Sequence, residues 1–77
     1  HYDLALFKAD GNYYAMTNNC KRCGGKLADG VIEGMYVICP ADETPWHIRT
    51  GLCRFNRSMS TPTYKVKVES DALFINI

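Results

Sequence analysis

Cys20 and Cys23 are separated by two residues in the run Asn18-Asn19-Cys20-Lys21-Arg22-Cys23-Gly24-Gly25, and the same interval returns at Cys39-Pro40-Ala41-Asp42. Each turn can point two donor atoms the same way, so the pattern favours folds that bring both turns to one place. Gly24 and Gly25 let the first turn adopt positive φ and aim amide groups at a thiolate, while Pro40 stiffens the second. The constraint is strong because the chain is short. With 77 residues, 47% of them apolar, it can form one small core, and a core of that size often needs a metal or a disulfide. Four cysteines can supply either.

Charge narrows the partners. The formal net charge is +1, with acids and bases scattered along the chain, so neither nucleic acid nor an anionic membrane is expected as a partner. No apolar run approaches the ~20 residues of a membrane span and no secretory pattern opens the sequence, which leads us to expect a cytoplasmic protein. Without a sign of secretion, cysteines at turn spacing favour metal or redox use over two disulfides. No Ser-His-Asp set, paired catalytic carboxylates or phosphate-binding glycine loop is evident, so a hydrolase or kinase is not expected.

The periodicity is that of strands. Apolar residues alternate at Leu4 and Leu6, and again at Tyr14 and Met16, on either side of Asp10-Gly11, which predicts a hairpin pairing residues 3–8 with 12–17. A loop follows from Asn18 to Gly30, then two short strands around Gly34 lead into Cys39. Pro40 and Pro45 make the next segment a second loop. Trp46-His47-Ile48-Arg49 is a short strand, residues 53–63 are an irregular surface connection, and a final hairpin turns at Ser70-Asp71 between Tyr64/Val66/Val68 and Leu73/Ile75/Ile77. About six to eight short strands in a chain of this length predict an all-β antiparallel sandwich or small barrel. One domain over residues 1–77 is expected, with a loop subdomain over about 18–51.

Four residues are candidate metal ligands: Cys20, Cys23, Cys39 and Asp42. Three soft sulfurs and one carboxylate suit zinc or iron. Each also has a plainer role open to it. Cys23 could be a free or disulfide-bonded loop thiol, Asp42 could cap a turn, and a disulfide from Cys20 to Cys39 or Cys23 would leave no metal at all. Cys53, Trp46, Tyr36 and Phe55 are expected in the core, and Cys53 could alternatively form a disulfide. His47 is expected to face solvent or core rather than the loops, and His1 to be disordered. Lys21, Arg22 and Lys26 place positive charge around the first turn, either as a solvated face or to favour thiolates.

The order of these segments resembles a Rieske-type iron–sulfur domain from about Leu4 to Ile77. Cys20, Gly24, Leu27, Asp29 and Gly30 fit the family's first motif, Cys39 and Pro40 its second, and Arg49-Thr50-Gly51 a following turn. In the family, two histidines ligate the outer iron of a [2Fe-2S] cluster. Those places here hold Arg22 and Asp42, and arginine has no lone pair to give. Cys23 lies one place beyond the lost imidazole, so the turns also resemble the knuckles of rubredoxin and zinc ribbons, which hold one tetrahedral metal.

The resemblance implies a Rieske-like fold, with Cys20 and Cys39 as cofactor-binding residues. It also implies an electron carrier, not an enzyme, working between a reductase and an oxygenase. Its cofactor would be iron or a [2Fe-2S] cluster with altered ligation. A second implied role is that of a cluster-less subunit or interaction module, with zinc or no metal, as in nitrite reductase small subunits.

Overall fold

The computed structural model describes residues 3–76, leaving His1 and Ile77, and what the sequence suggests for them, outside the described residues. Among the described residues, seven strands form two antiparallel sheets: β1 (Leu4–Ala9), β2 (Asn12–Thr17), β6 (Thr63–Glu69) and β7 (Ala72–Asn76) in the order β1-β2-β6-β7, and β3 (Val31–Glu33), β4 (Tyr36–Ile38) and β5 (Pro45–His47) in the order β3-β4-β5. The fold is the expected all-β architecture.

Turn chemistry sets the hairpins. Asp10 and Gly11 have φ of 53° and 79°, and Ser70 and Asp71 have 50° and 66°. Two consecutive left-handed residues make the tight turn whose twist matches that of the flanking strands. The pairing follows directly: Leu4 opposes Thr17, Ala9 opposes Asn12, and Glu69 opposes Ala72.

One detail of the first hairpin differs from the sequence pattern. In the observed register Ala5 opposes Met16 and Phe7 opposes Tyr14, so Leu4 and Leu6 lie on the other face from Tyr14 and Met16. Ala5, Phe7 and Met16 are buried, whereas Leu6 is 44% exposed. Both faces of β1 carry apolar side chains, so alternation alone cannot choose between them. The small Ala5 and the large Phe7 fill the core side.

The core gathers Ala5, Phe7, Met16, Leu27, Val37, Trp46 and Ile48 with the three cysteines Cys20, Cys39 and Cys53. Trp46 and Cys53 meet as a bridge pair. Phe55 departs from expectation. It is 64% exposed, in the irregular stretch after Cys53 that the sequence places at the surface. A short 3-10 turn, Leu27–Asp29, forms within the first loop and buries Leu27, helped by a hydrogen bond from the Ala28 N–H to the Asn18 side-chain oxygen at 2.8 Å. No helix among the described residues is long and apolar enough to cross a membrane.

Candidate metal centre

β2 ends at Thr17 in the larger sheet and β4 ends at Ile38 in the smaller one, and each is followed within three residues by a buried cysteine, Cys20 and Cys39. The two loops meet. One donor atom from each of Cys20, Cys23, Cys39 and Asp42 lies within 4.8 Å of every other, a group able to hold a metal ion. All four cysteines are free thiols, so the disulfide alternatives are not realised.

The two turns share one hydrogen-bond scheme. The Gly24 N–H reaches the Cys20 carbonyl at 2.6 Å, and the Glu43 N–H reaches the Cys39 carbonyl at 2.9 Å. The Cys20 N–H donates to the Gly25 carbonyl and the Cys39 N–H to the Thr44 carbonyl, both at 2.9 Å. The outer donors match as well: the Gly25 N–H points at Cys23 Sγ at 3.4 Å, and the Thr44 N–H at Asp42 Oδ1 at 3.0 Å. Gly24 and Glu43 occupy the same place with φ of 79° and 62°, a conformation glycine adopts freely and glutamate at a cost. Asp42 therefore stands in the second turn where Cys23 stands in the first.

Distances inside the group are short. Cys23 Sγ is 3.4 Å from Cys39 Sγ, and Cys20 Sγ is 3.8 and 3.9 Å from the two Asp42 oxygens. Cys20 and Cys39 are fully buried, while Cys23 and Asp42 face outward. A methyl group built at Gly25 would come within 3.2 Å of Cys39 Sγ and 3.3 Å of Cys23 Sγ, so that backbone closes directly over the sulfurs.

Electrostatics differ between the donors. Burial opposes a Cys20 anion, but the amide groups of Arg22 and Cys23, the Trp46 indole and the Cys23 thiol outweigh it and bring the thiol below its ordinary value. The Trp46 N–H sits near enough to favour that charge yet falls short of hydrogen-bond geometry and is left without a partner. Burial pushes the Cys39 thiol up to about 12, the Asp42 and Ala41 amides pulling against it and the Cys23 and Asp42 side chains adding to it. Burial also disfavours the Asp42 charge, but the Thr44 amide and hydroxyl, the Cys39 thiol and the Arg22 guanidinium hold its carboxyl below the usual range.

Of the three cations near the first turn, Arg22 faces the site, its Nε 3.9 Å from Asp42 Oδ2. Lys26 turns away to Asp3 at 2.6 Å. His47 lies apart from the four donors: its Nδ1 accepts from the Arg49 and Thr50 amides at 3.2 Å, and its ring stacks edge-on against Tyr36. Cys53 is buried and likewise outside the group. Gly25 aims its amide at a sulfur as its place in the sequence suggests, though only Gly24 of the pair has positive φ, while Thr44 and Trp46 serve the site without being expected there. An Asp followed two residues later by a hydrogen-bonding amide is a recognisable turn signal for Thr44, whereas the Trp46 N–H and the Gly25 approach need three dimensions.

A histidine-ligated two-iron cluster does not fit these residues, since a guanidinium and a carboxylate stand where two imidazoles would be required.

Comparison with known proteins places the chain. Residues 1–68 match the family model "Rieske [2Fe-2S] domain". The chain is 31% identical over 77 residues to the naphthalene 1,2-dioxygenase system ferredoxin component of Pseudomonas aeruginosa, covering 97% of this chain and 73% of that protein. Its fold superposes on the Sphingomonas yanoikuyae B1 ferredoxin with a TM-score of 0.89 at 27% identity, over 100% of this chain and 76% of the other. It also superposes on a protein classed as an NADH-dependent nitrite reductase small subunit from Mycobacterium tuberculosis, with a TM-score of 0.82 at 22% identity, over 91% and 67% of the two chains.

Proposed function

This chain belongs to the Rieske [2Fe-2S] domain family, and on that premise we propose that it is a ferredoxin-like carrier of single electrons between a reductase and an oxygenase, with iron held between its two loops. The observation that carries the reading is the group of Cys20, Cys23, Cys39 and Asp42 at the loop tips of a Rieske fold. Its similarity to the ferredoxin component of a naphthalene dioxygenase system supports both the carrier role and the choice of partners. The protein works as an accessory to catalysts and is not one itself. A single domain over residues 1–77, with the loop segment 18–51 as its metal-carrying part, and a cytoplasmic location complete the proposal.

Bound iron supplies one-electron exchange; the chain supplies the rest. Cys20 and Cys39 would anchor the metal from the core; the amides of its turn bring the Cys20 thiol below its ordinary value, while at Cys39 burial outweighs the amides and keeps the thiol protonated until a metal displaces the proton. Cys23 and Asp42 form the solvent-facing side, where a partner protein can approach closely. Arg22 offsets part of the negative charge gathered there.

A reductive titration of the iron-loaded protein tests the proposal. Reversible uptake of one electron per chain, seen as bleaching and recovery of thiolate-to-iron absorption, is the expected result. The likeness in fold to a nitrite reductase small subunit favours a second reading, an interaction module with structural zinc or no metal. A colourless protein that takes up no electron would replace the first reading with the second.

A further inference from the structure

We propose that the pocket between the loops holds one tetrahedrally coordinated metal ion, bound by the sulfurs of Cys20, Cys23 and Cys39 and one oxygen of Asp42, in place of a two-iron cluster. The inference deepens the carrier reading by fixing the nuclearity of its site, and it stands or falls separately.

Size decides between the alternatives. Metal–sulfur bonds of about 2.3 Å set the donors of one tetrahedron about 3.8 Å apart. Two such tetrahedra sharing an edge, the arrangement of a two-metal cluster, set terminal donors on different metals roughly 5.3 to 6.5 Å apart. Here every donor lies within 4.8 Å of every other. The measured contacts, 3.4 Å for Cys23 to Cys39 and 3.8 Å for Cys20 to Asp42, belong to the smaller figure.

Those two contacts run from one loop to the other, each joining the inner donor of one turn to the outer donor of its partner turn. With the matched hydrogen bonds of the two turns, this gives the pocket an approximate two-fold symmetry, whose axis is the natural place for a single ion. Gly25 leaves little room for expansion, because its amide lies 3.4 Å from Cys23 Sγ and the space beside its Cα is so tight that even a methyl group there would meet Cys39 Sγ at 3.2 Å and the Ala41 methyl at 3.3 Å. The donor set agrees: three thiolates and a carboxylate are all anionic and complete four-coordination for zinc or iron without an imidazole.

The test is to count metal and sulfide. Apoprotein is offered ferrous iron alone, ferrous iron with inorganic sulfide, or cobalt, under anaerobic conditions, and freed of excess. One metal per chain in all three, with no acid-labile sulfide and an intense tetrahedral cobalt spectrum, is expected. Two irons with two sulfides, or failure to retain any of the metals, would overturn the inference. A two-iron cluster that takes up an electron reversibly would leave the carrier reading intact while removing this one. One cobalt per chain with an iron form that cannot be reduced would do the opposite.

Discussion

At the level of single residues, the site divides its labour between buried and exposed donors. The Cys39 thiol, pushed up to about 12 by burial, is protonated at neutral pH and must release its proton when a metal binds. Asp42, held below the usual carboxylate range, is already ionised there and releases none. Metal affinity should therefore rise with pH between about 6 and 8, by up to tenfold per unit for each proton released, as a competitive chelator titration would show. Arg22 has a different effect. Its positive charge near Asp42 favours the more negative, reduced form of the site, so Arg22→Gln should lower the reduction potential. The shift should be about 10–50 mV, because a partly exposed ion pair 3.9 Å apart contributes at most about 1 kcal/mol and 59 mV corresponds to about 1.4 kcal/mol for one electron. Protein-film voltammetry would measure it. The pairing of Cys20 with Cys23 and of Cys39 with Asp42 is legible in the sequence because each spacing is local, whereas the meeting of the two pairs depends on the packing of the loops. The Trp46 N–H beside Cys20 is not legible there, since an indole on β5 meets a thiol after β2 only once the two sheets have packed.

At the level of elements, the turns carry the precision and the strands carry the fold. Hairpins around Asp10-Gly11, Gly34 and Ser70-Asp71 follow from turn residues alone, and the structure forms each of them. The face that β1 buries did not follow, because Ala5 and Phe7 compete with Leu4 and Leu6 and only packing against Met16 decides. The matched turns give two contrasting predictions. Gly25→Ala would press a methyl group onto Cys23 and Cys39, and should weaken metal binding on the order of 10–100-fold while leaving the fold intact. Glu43→Gly places a glycine where the first turn has Gly24, and relief of the left-handed strain is offset by chain entropy. It should change stability by less than about 1 kcal/mol and leave metal affinity unchanged. Metal competition and chemical denaturation on the two variants would separate these outcomes.

At the level of the molecule, the metal would tie the sheets together. Cys20 follows a strand of the four-stranded sheet and Cys39 a strand of the three-stranded one, and both lie in the shared core. Metal binding to such a site is coupled to folding. At a free metal concentration of about 1,000 times Kd it contributes about 4 kcal/mol. For a chain this short, chelation should then lower Tm by more than about 10 °C. Calorimetry before and after chelation would show it, and Cys53→Ser, outside the donor group, should leave metal content unchanged.

X-ray absorption at the metal edge of the loaded protein tests the four-ligand assignment most directly. One metal surrounded by three sulfurs and one oxygen, becoming four sulfurs in Asp42→Cys and with no second metal nearby, is the predicted result. An imidazole nitrogen in the coordination sphere, fewer than three sulfurs, or a neighbouring iron would contradict it.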